Sequence, residues 1–218
     1  GEIYMRIVVL AGGLSTEREV SISSGTLVAE ALRSKGHEVV LLDVFMGYEE
    51  NICDIDALFK QNYSFTDGNS IGDDVENTIT NIKEAKEKRL DKTSRYIGRN
   101  VIEICAEADI TFLALHGGEG ENGQLQATLD LFGIKYTGSG YLGSALAMNK
   151  GLTKSVFMQK NINTPSGELY KNEKDALAWN MFPCIVKPCS GGSSVGVSKV
   201  ENADQYKKLS LIHISEPT

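Results

Sequence analysis

The sequence lacks a long hydrophobic run. Its N-terminal apolar stretch covers residues 7–11, whereas a membrane-spanning helix needs about 20 consecutive apolar residues and the core of a signal peptide needs about 7 to 15. We therefore expect a cytoplasmic protein without a membrane partner. Residues 1–4 precede Met5, a natural-looking start, and we expect them to be a leader outside the fold.

Cysteine, histidine and positive charge are also scarce. The four cysteines show neither CxxC spacing nor a pattern with the three histidines, which indicates reduced, buried or incidental thiols and no zinc motif. Twenty-two Lys and Arg residues stand against 29 Asp and Glu residues, for a net charge of -7. Nucleic-acid binding needs clustered positive charge, and the densest basic stretch, residues 83–92, is interleaved with acidic residues. We expect no nucleic-acid partner.

Two nucleotide-binding fingerprints are missing. The first apolar run is followed by Gly12-Gly13-Leu14-Ser15-Thr16 and not by G-x-G-x-x-G, so a dinucleotide site has little support. No Gly-Lys-Ser/Thr sequence closes a glycine-rich loop and opens a helix, which excludes a Walker A motif.

The chain begins with a strand, helix, strand unit. The apolar run Arg6–Ala11 is typical of a parallel strand that is buried on both faces. A helix follows, marked by apolar residues at helical spacing, Val28, Ala31 and Leu32. Gly36 is placed to end it, and residues 38–45 are predicted as the second strand. This order predicts a right-handed crossover and an open parallel α/β domain.

Two polar residues follow predicted strands of this domain. Glu17 either meets the dipole of its helix or places a carboxylate at the carboxyl ends of the strands, where open α/β sheets bind ligands, and the sequence leaves both interpretations open. A lone histidine at the end of a strand is more often a hydrogen-bonded structural residue than a catalyst. His116, however, follows the predicted strand 109–115 inside a glycine-rich turn, which favours substrate positioning. A metal site with Glu119 and Glu121 is less favoured, because these residues crowd a tight turn.

The remaining elements are predicted from periodicity and turn residues. Residues 47–92 are polar, with a helix near residues 77–88 and no assigned function. Helices are predicted at residues 96–107 and 124–131, and a strand at residues 134–137. A domain boundary is expected between residues 138 and 150.

The second half centres on a predicted hairpin. Strands at residues 184–186 and 195–197 flank a loop of glycines and serines, and Lys187 precedes the loop. Such a loop turns backbone N–H groups and hydroxyls toward one point and can hold phosphate oxygens, with the lysine as a point charge. An ordinary exposed hairpin is the alternative.

Five stretches of the chain, in one order, resemble the D-alanine:D-alanine ligases of the ATP-grasp superfamily. They are residues 11–21 (AGGLSTEREVS), 115–124 (LHGGEGENGQ), 136–140 (YTGSG), 148–150 (MNK) and 186–196 (VKPCSGGSSVG). Each stretch is modest alone, but five in the family's order make a chance match improbable.

The resemblance implies an architecture. Residues 5–138 would form an N-terminal open parallel α/β substrate-binding domain of the pre-ATP-grasp type, and residues 139–208 a truncated α+β ATP-grasp central subdomain. Residues 209–218 do not resemble the family and are expected to be a tail. A homodimer through the N-terminal domain is also implied.

The resemblance further implies roles for single residues. Glu17 would orient the ammonium of the first D-alanine through a network with Ser193, both as catalytic residues, and His116 would lie near that substrate. The residues implied to contact ATP are Lys150, Lys187, Gly192, Ser193 and Ser194, with the last three closing over the γ-phosphate.

The implied reaction belongs to peptidoglycan precursor synthesis. The γ-phosphate of ATP is transferred to the carboxylate of the first D-alanine, and the amine of the second attacks the acyl phosphate. The family also uses Mg²⁺, whose ligands are expected beyond this chain and not within it, so the 218-residue chain is expected to be inactive alone.

Alternatives remain at the level of sequence. Ligases that join D-alanine to D-lactate or D-serine share the same motifs, and a non-catalytic dimerisation or binding module could retain the N-terminal domain. Asn122 stands where many family members have an aspartate, which removes one charge but keeps a hydrogen-bond acceptor.

Overall fold

The computed structural model of the protein describes residues 4–66, 75–170, 172–192 and 196–213. The chain divides into two compact units between Ala145 and Leu146.

The first unit is built on a three-stranded parallel sheet. Its strands are β1 (Arg6–Ala11), β2 (Glu38–Asp43) and β3 (Ile110–Leu113), in the order β2-β1-β3. Its helices are α1 (Arg18–Ser34), α2 (Ile55–Lys60), α3 (Val75–Lys88), α4 (Val101–Ala106), α5 (Gly118–Glu121), α6 (Gln124–Leu131) and α7 (Tyr141–Met148), the last of which crosses the division between the units. Both strand pairs are parallel, with β1 in the middle. The predicted open parallel α/β fold is confirmed.

Both faces of this sheet are covered, because alternate residues of the strands enter two separate hydrophobic clusters. The larger cluster includes Val8, Leu10, Val40, Leu42, Phe59, Ile104 and Leu129. The smaller cluster includes Ile7, Val9, Ala11, Ala29, Val39 and Leu41. Burial on both faces accounts for the continuous apolar runs, which a strand with one solvated face would not show.

One predicted helix is shorter than expected. Helix α4 begins at Val101 and not at residue 96. Upstream of it, the Gly98 N–H donates to the Val44 carbonyl over 2.8 Å, and the Tyr48 N–H donates to the Arg99 carbonyl over 2.9 Å. These backbone groups pair with a neighbouring segment and not within a helix, and Asn100, at φ 65°, interrupts helical geometry.

Three strand predictions for the first unit differ from the structure. Strands β2 and β3 end at Asp43 and Leu113, earlier than the predicted residues 45 and 115. The predicted strand 134–137 is reduced to a single parallel bridge between Thr111 and Tyr136. Residues 134–137 pair with β3 through two hydrogen bonds, from the Thr111 N–H to the Lys135 carbonyl and from the Thr137 N–H to the Thr111 carbonyl, and Gly133 at φ 68° and Gly138 at φ 102° turn the chain on either side.

The second unit contains the predicted hairpin. Strands β4 (Cys184–Val186) and β5 (Ser198–Val200) are antiparallel, so the hairpin is confirmed. The second strand begins at Ser198 and not at residue 195, since Gly196 at φ 73° still belongs to the turn. The helices of this unit are α8 (Lys150–Gln159), α9 (Glu173–Ala176) and α10 (Ala203–His213).

In the described part of the chain, no helix has both the length and the apolar character required to cross a membrane.

Candidate functional site

The candidate site of the first unit lies in the loops that follow β1 and β3. Gly12 and Gly13, at φ 73° and 81°, turn the chain sharply at the end of β1, in a conformation that other residues rarely adopt. The loop after β3 carries His116 and Gly117. Because β1 and β3 are adjacent parallel strands, both loops leave the same edge of the sheet.

Ser15 joins the two loops. Its hydroxyl donates to the His116 carbonyl over 2.5 Å and accepts from the Glu17 N–H over 3.2 Å. The serine therefore fixes the distance between the residues that the sequence singled out, Glu17 and His116.

Glu17 occupies the N-cap position of α1 but forms no capping hydrogen bond with its side chain. The carboxylate lies against Gly117 of the opposite loop, where a methyl group on Gly117 would come 2.8 Å from the Glu17 Oε2. Gly117 itself has φ 69°, so both its conformation and its surroundings require glycine. A half-buried carboxylate is thus directed at the second loop and not back at its own helix.

His116 is held by Ser24 of α1, with 3.2 Å between the His116 Nε2 and the Ser24 Oγ. The single proton of the Ser24 hydroxyl is donated to the Val20 carbonyl over 2.7 Å. With that proton donated to the Val20 carbonyl, Ser24 accepts from the His116 Nε2; with the hydroxyl turned toward the ring, the Nε2 is the acceptor.

Beneath this site lies a buried ion pair that the sequence analysis missed. The Arg18 guanidinium pairs with the Asp43 carboxylate, and the two side chains are 8% and 0% exposed. Arg18 also donates to the Gly13 carbonyl over 2.6 Å, and Asp43 accepts from the backbone N–H groups of Gly13, Phe45 and Met46. The signal in the sequence was the position of Asp43, a charged residue that ends an apolar strand.

The candidate phosphate site of the second unit lies between the start of α8 and the hairpin loop. The Lys150 ammonium donates to the Gly191 carbonyl over 2.7 Å, and the Lys150 backbone N–H donates to the Cys189 carbonyl over 3.0 Å. Asn149 caps α8 by accepting from the Leu152 N–H over 3.0 Å, and the same oxygen accepts from the Cys189 thiol over 3.2 Å. Lys150 and the loop, distant in sequence, are thus brought together.

The other residues predicted to contact phosphate are not tied to Lys150 by any hydrogen bond in the described part of the chain. Lys187 follows the end of β4 and is exposed, with no hydrogen bond or ion pair to the part of the chain that the structure describes. Gly192 lies in the loop beyond the carbonyls that hold Lys150. Ser193 and Ser194 lie outside the described residues, and so does the predicted pairing of Ser193 with Glu17.

The acidic turn near His116 carries Glu119 and Glu121. Across residues 4–66, 75–170, 172–192 and 196–213, no group of three or more His, Cys, Asp or Glu side chains is close enough to hold a metal ion.

Comparisons with known proteins agree on one family. A family model described as D-ala D-ala ligase N-terminus matches residues 6–139, and one described as D-ala D-ala ligase C-terminus matches residues 146–212. The D-alanine–D-alanine ligase of Lacticaseibacillus casei (strain BL23) is 42% identical over 206 residues, which cover 93% of this chain and 56% of that protein. The chain thus spans little more than half the length of this curated relative.

Solved structures give the same result. The D-alanine–D-alanine ligase of Helicobacter pylori matches with a TM-score of 0.61 and 26% identity, covering 94% of this chain and 59% of that one. The ligase of Bacillus anthracis complexed with ATP matches with a TM-score of 0.55 and 26% identity, covering 96% and 55%. Since the two family models together cover most of its residues, the chain belongs to the D-alanine–D-alanine ligase family.

Proposed function

We propose that this chain carries the site for the first D-alanine, and part of the ATP site, of a ligase that joins two D-alanine molecules for peptidoglycan synthesis. The observation that carries the proposal is the arrangement of Glu17, Gly117 and His116 where the loops after β1 and β3 meet. Family membership and the names of the relatives support the choice of substrate.

The side chains in the loops after β1 and β3 suit a small zwitterion. The Glu17 carboxylate would bind the ammonium of D-alanine, because a charge-assisted hydrogen bond in a half-buried site is stronger than one in water. His116 would lie beside the bound amino acid and donate or accept according to its protonation. Gly117, which has no side chain, leaves room beside the carboxylate.

The residues around Lys150 fit a nucleotide phosphate. The Lys150 ammonium provides positive charge at the first turn of α8, beside a glycine-containing loop. It has three N–H groups, and those not donated to the Gly191 carbonyl would bind phosphate oxygens. Lys187 would add a second cation. When bound, ATP would supply the phosphoryl group that activates the first D-alanine as an acyl phosphate, and the two lysines would compensate the moving charge.

The implied metal receives no such support. Mg²⁺ prefers carboxylate and phosphate oxygens, and the described residues of the second unit bring no cluster of carboxylates together.

The remaining parts of the proposal concern the whole ligase. Residues 5–138 would form the D-alanine-binding domain and residues 139–208 the ATP-binding part, with Ser193 completing the network of Glu17. The protein would act in the cytoplasm as a homodimer through its N-terminal domain.

The proposal is tested by D-alanine binding to the purified chain, measured by calorimetry or by NMR titration. Glu17→Gln keeps the shape of the side chain but removes its charge, and we expect D-alanine affinity to fall about 10- to 100-fold. Glu30→Gln is the control, since Glu30 is an exposed carboxylate on the same helix.

Two results would overturn the proposal. One is the absence of saturable D-alanine binding to the wild-type chain. The other is equal affinity in the wild type and in Glu17→Gln, which would return this residue to the role of a helix-terminal charge.

A further inference from the structure

A tyrosine from outside the two loops reaches the base of the D-alanine site. Tyr96 belongs to the segment before α4 that lies beside the end of β2 and does not form a helix. A methyl group on Gly13 would come 2.5 Å from the Tyr96 hydroxyl oxygen, so this hydroxyl lies directly against the Gly13 backbone. Gly13 is the residue at which the chain turns from β1 toward Ser15 and Glu17.

The surroundings of Tyr96 keep its hydroxyl protonated. Burial and, to a smaller extent, the nearby Glu119 carboxylate raise the pKa of the Tyr96 phenol well above that of a free tyrosine, and the Leu14 backbone amide only partly opposes this. At neutral pH the side chain is therefore a neutral hydroxyl, which can hydrogen-bond to the turn but cannot act as a base.

The segment that carries Tyr96 has its own anchor. Arg89, 1% exposed, donates to the Arg95 carbonyl over 2.6 Å. Its guanidinium also lies over the Phe45 ring, 4.5 Å from the centroid. The residue before Tyr96 is thus fixed by Arg89, which directly follows α3 and lies against Phe45.

We propose that Tyr96 is a positioning residue for the first substrate, which acts by holding the Gly13-Leu14 backbone and, through it, Ser15 and Glu17. The inference rests on the proposed function for the identity of the substrate, but not for the effect on the loop. It assigns a role to Tyr96, which the sequence analysis placed only as the first residue of the predicted helix 96–107.

The test is Tyr96→Phe, which keeps the ring and removes only the hydroxyl. We expect amide hydrogen exchange of residues 14–17 to accelerate about 3- to 10-fold without ligand, because the variant removes the hydrogen bond that the Leu14 N–H donates to the Tyr96 hydroxyl, and one hydrogen bond is worth about 0.5–1.5 kcal/mol. D-alanine affinity should fall by a similar factor, and the NMR signals of the His116 ring should shift. Tyr63→Phe is the matched control, since Tyr63 is another partly buried tyrosine of the same cluster.

The outcomes separate this inference from the proposed function. Unchanged exchange at residues 14–17 in Tyr96→Phe would overturn it, and so would an equal acceleration across β1, β2 and β3, which would show a packing role alone. If D-alanine fails to bind the wild type, the proposed function fails, while the ligand-free exchange still decides whether Tyr96 holds the loop.

Discussion

Lys150 and Lys187 carry the same charge in different surroundings. The Lys150 ammonium is already held by the Gly191 carbonyl and lies 3.5 Å from the Cys189 carbonyl. Lys187 is exposed and contacts none of the described residues through hydrogen bonds or ion pairs. A bound phosphate would find the first lysine in place, whereas the second would lose side-chain freedom on binding.

Lys150→Ala should weaken ATP binding about 10- to 100-fold, because a charge-assisted hydrogen bond to phosphate contributes about 1.5–3 kcal/mol. Lys187→Ala should weaken it less, since ordering an exposed lysine offsets part of the gain. Calorimetry or a fluorescent ATP analogue measures both effects.

Lys160→Ala is the control for these variants, because Lys160 is exposed at the opposite end of α8. Equal ATP affinity in Lys160→Ala and Lys150→Ala would argue against the phosphate role.

Among single residues, the sequence indicated the site residues that directly follow an apolar strand. It did not indicate the residues that come together only through tertiary contacts. Glu17 and His116 were both chosen because they follow apolar strands, and the structure brings their loops together. In the sequence, Arg18 is one of three consecutive charged residues, 17–19, and its partner Asp43 is distant along the chain. The charge at the end of an apolar run marks Asp43, but no local pattern indicates that its partner is Arg18.

At the scale of elements, the loop between β1 and α1 depends on that buried pair. Asp43 ends β2 and accepts three backbone N–H groups, while Arg18 holds the Gly13 carbonyl. Removing one member leaves the other charge buried without its counter-charge, and this costs more than the pair contributes.

Arg18→Met should therefore lower the free energy of unfolding by about 3–5 kcal/mol. The double variant Arg18→Met, Asp43→Leu should be less destabilised than the sum of the two single variants, because no unpaired charge remains. Chemical denaturation monitored by circular dichroism measures these differences.

The exposed pair of Lys88 and Glu84 is the comparison, and Lys88→Ala should change stability by no more than about 0.5 kcal/mol. A similarly small effect of Arg18→Met would mean that water reaches the Asp43 carboxylate.

Prediction of the elements succeeded where one pattern determined the structure. Strand β1 and helix α6 have the predicted bounds, because an apolar run and a glycine-bounded amphipathic stretch leave little choice. The segment before α4 was wrongly predicted as helical, since its pairing with residues 44–48 is a tertiary contact that local propensity does not contain.

At the scale of the whole molecule, the two units differ in how much apolar surface they bury. In the first unit, residues 7–11 and 39–42 are almost completely buried. In the part of the second unit that the structure describes, the buried apolar side chains are Ala176, Val200 and Tyr206. Apolar side chains there that are about half exposed or more include Leu152, Met158, Ile162, Leu169, Met181 and Ile185. Since buried apolar area is the main favourable contribution to folding, the second unit should be the less stable.

Hydrogen exchange followed by mass spectrometry tests this difference. Amides of β1, β2 and β3 should exchange at least about 100-fold more slowly than those of β4 and β5, which corresponds to a difference of about 2.7 kcal/mol in opening free energy.

Two variants and a ligand act on the units separately. Val9→Ala should reduce protection in the first unit and Val200→Ala in the second, because both valines are fully buried. Adding ATP should slow exchange near residues 187–192, since a ligand stabilises the unit that binds it. Equal protection of β1 and β5 would show that the exposed apolar side chains of the second unit cost it no stability.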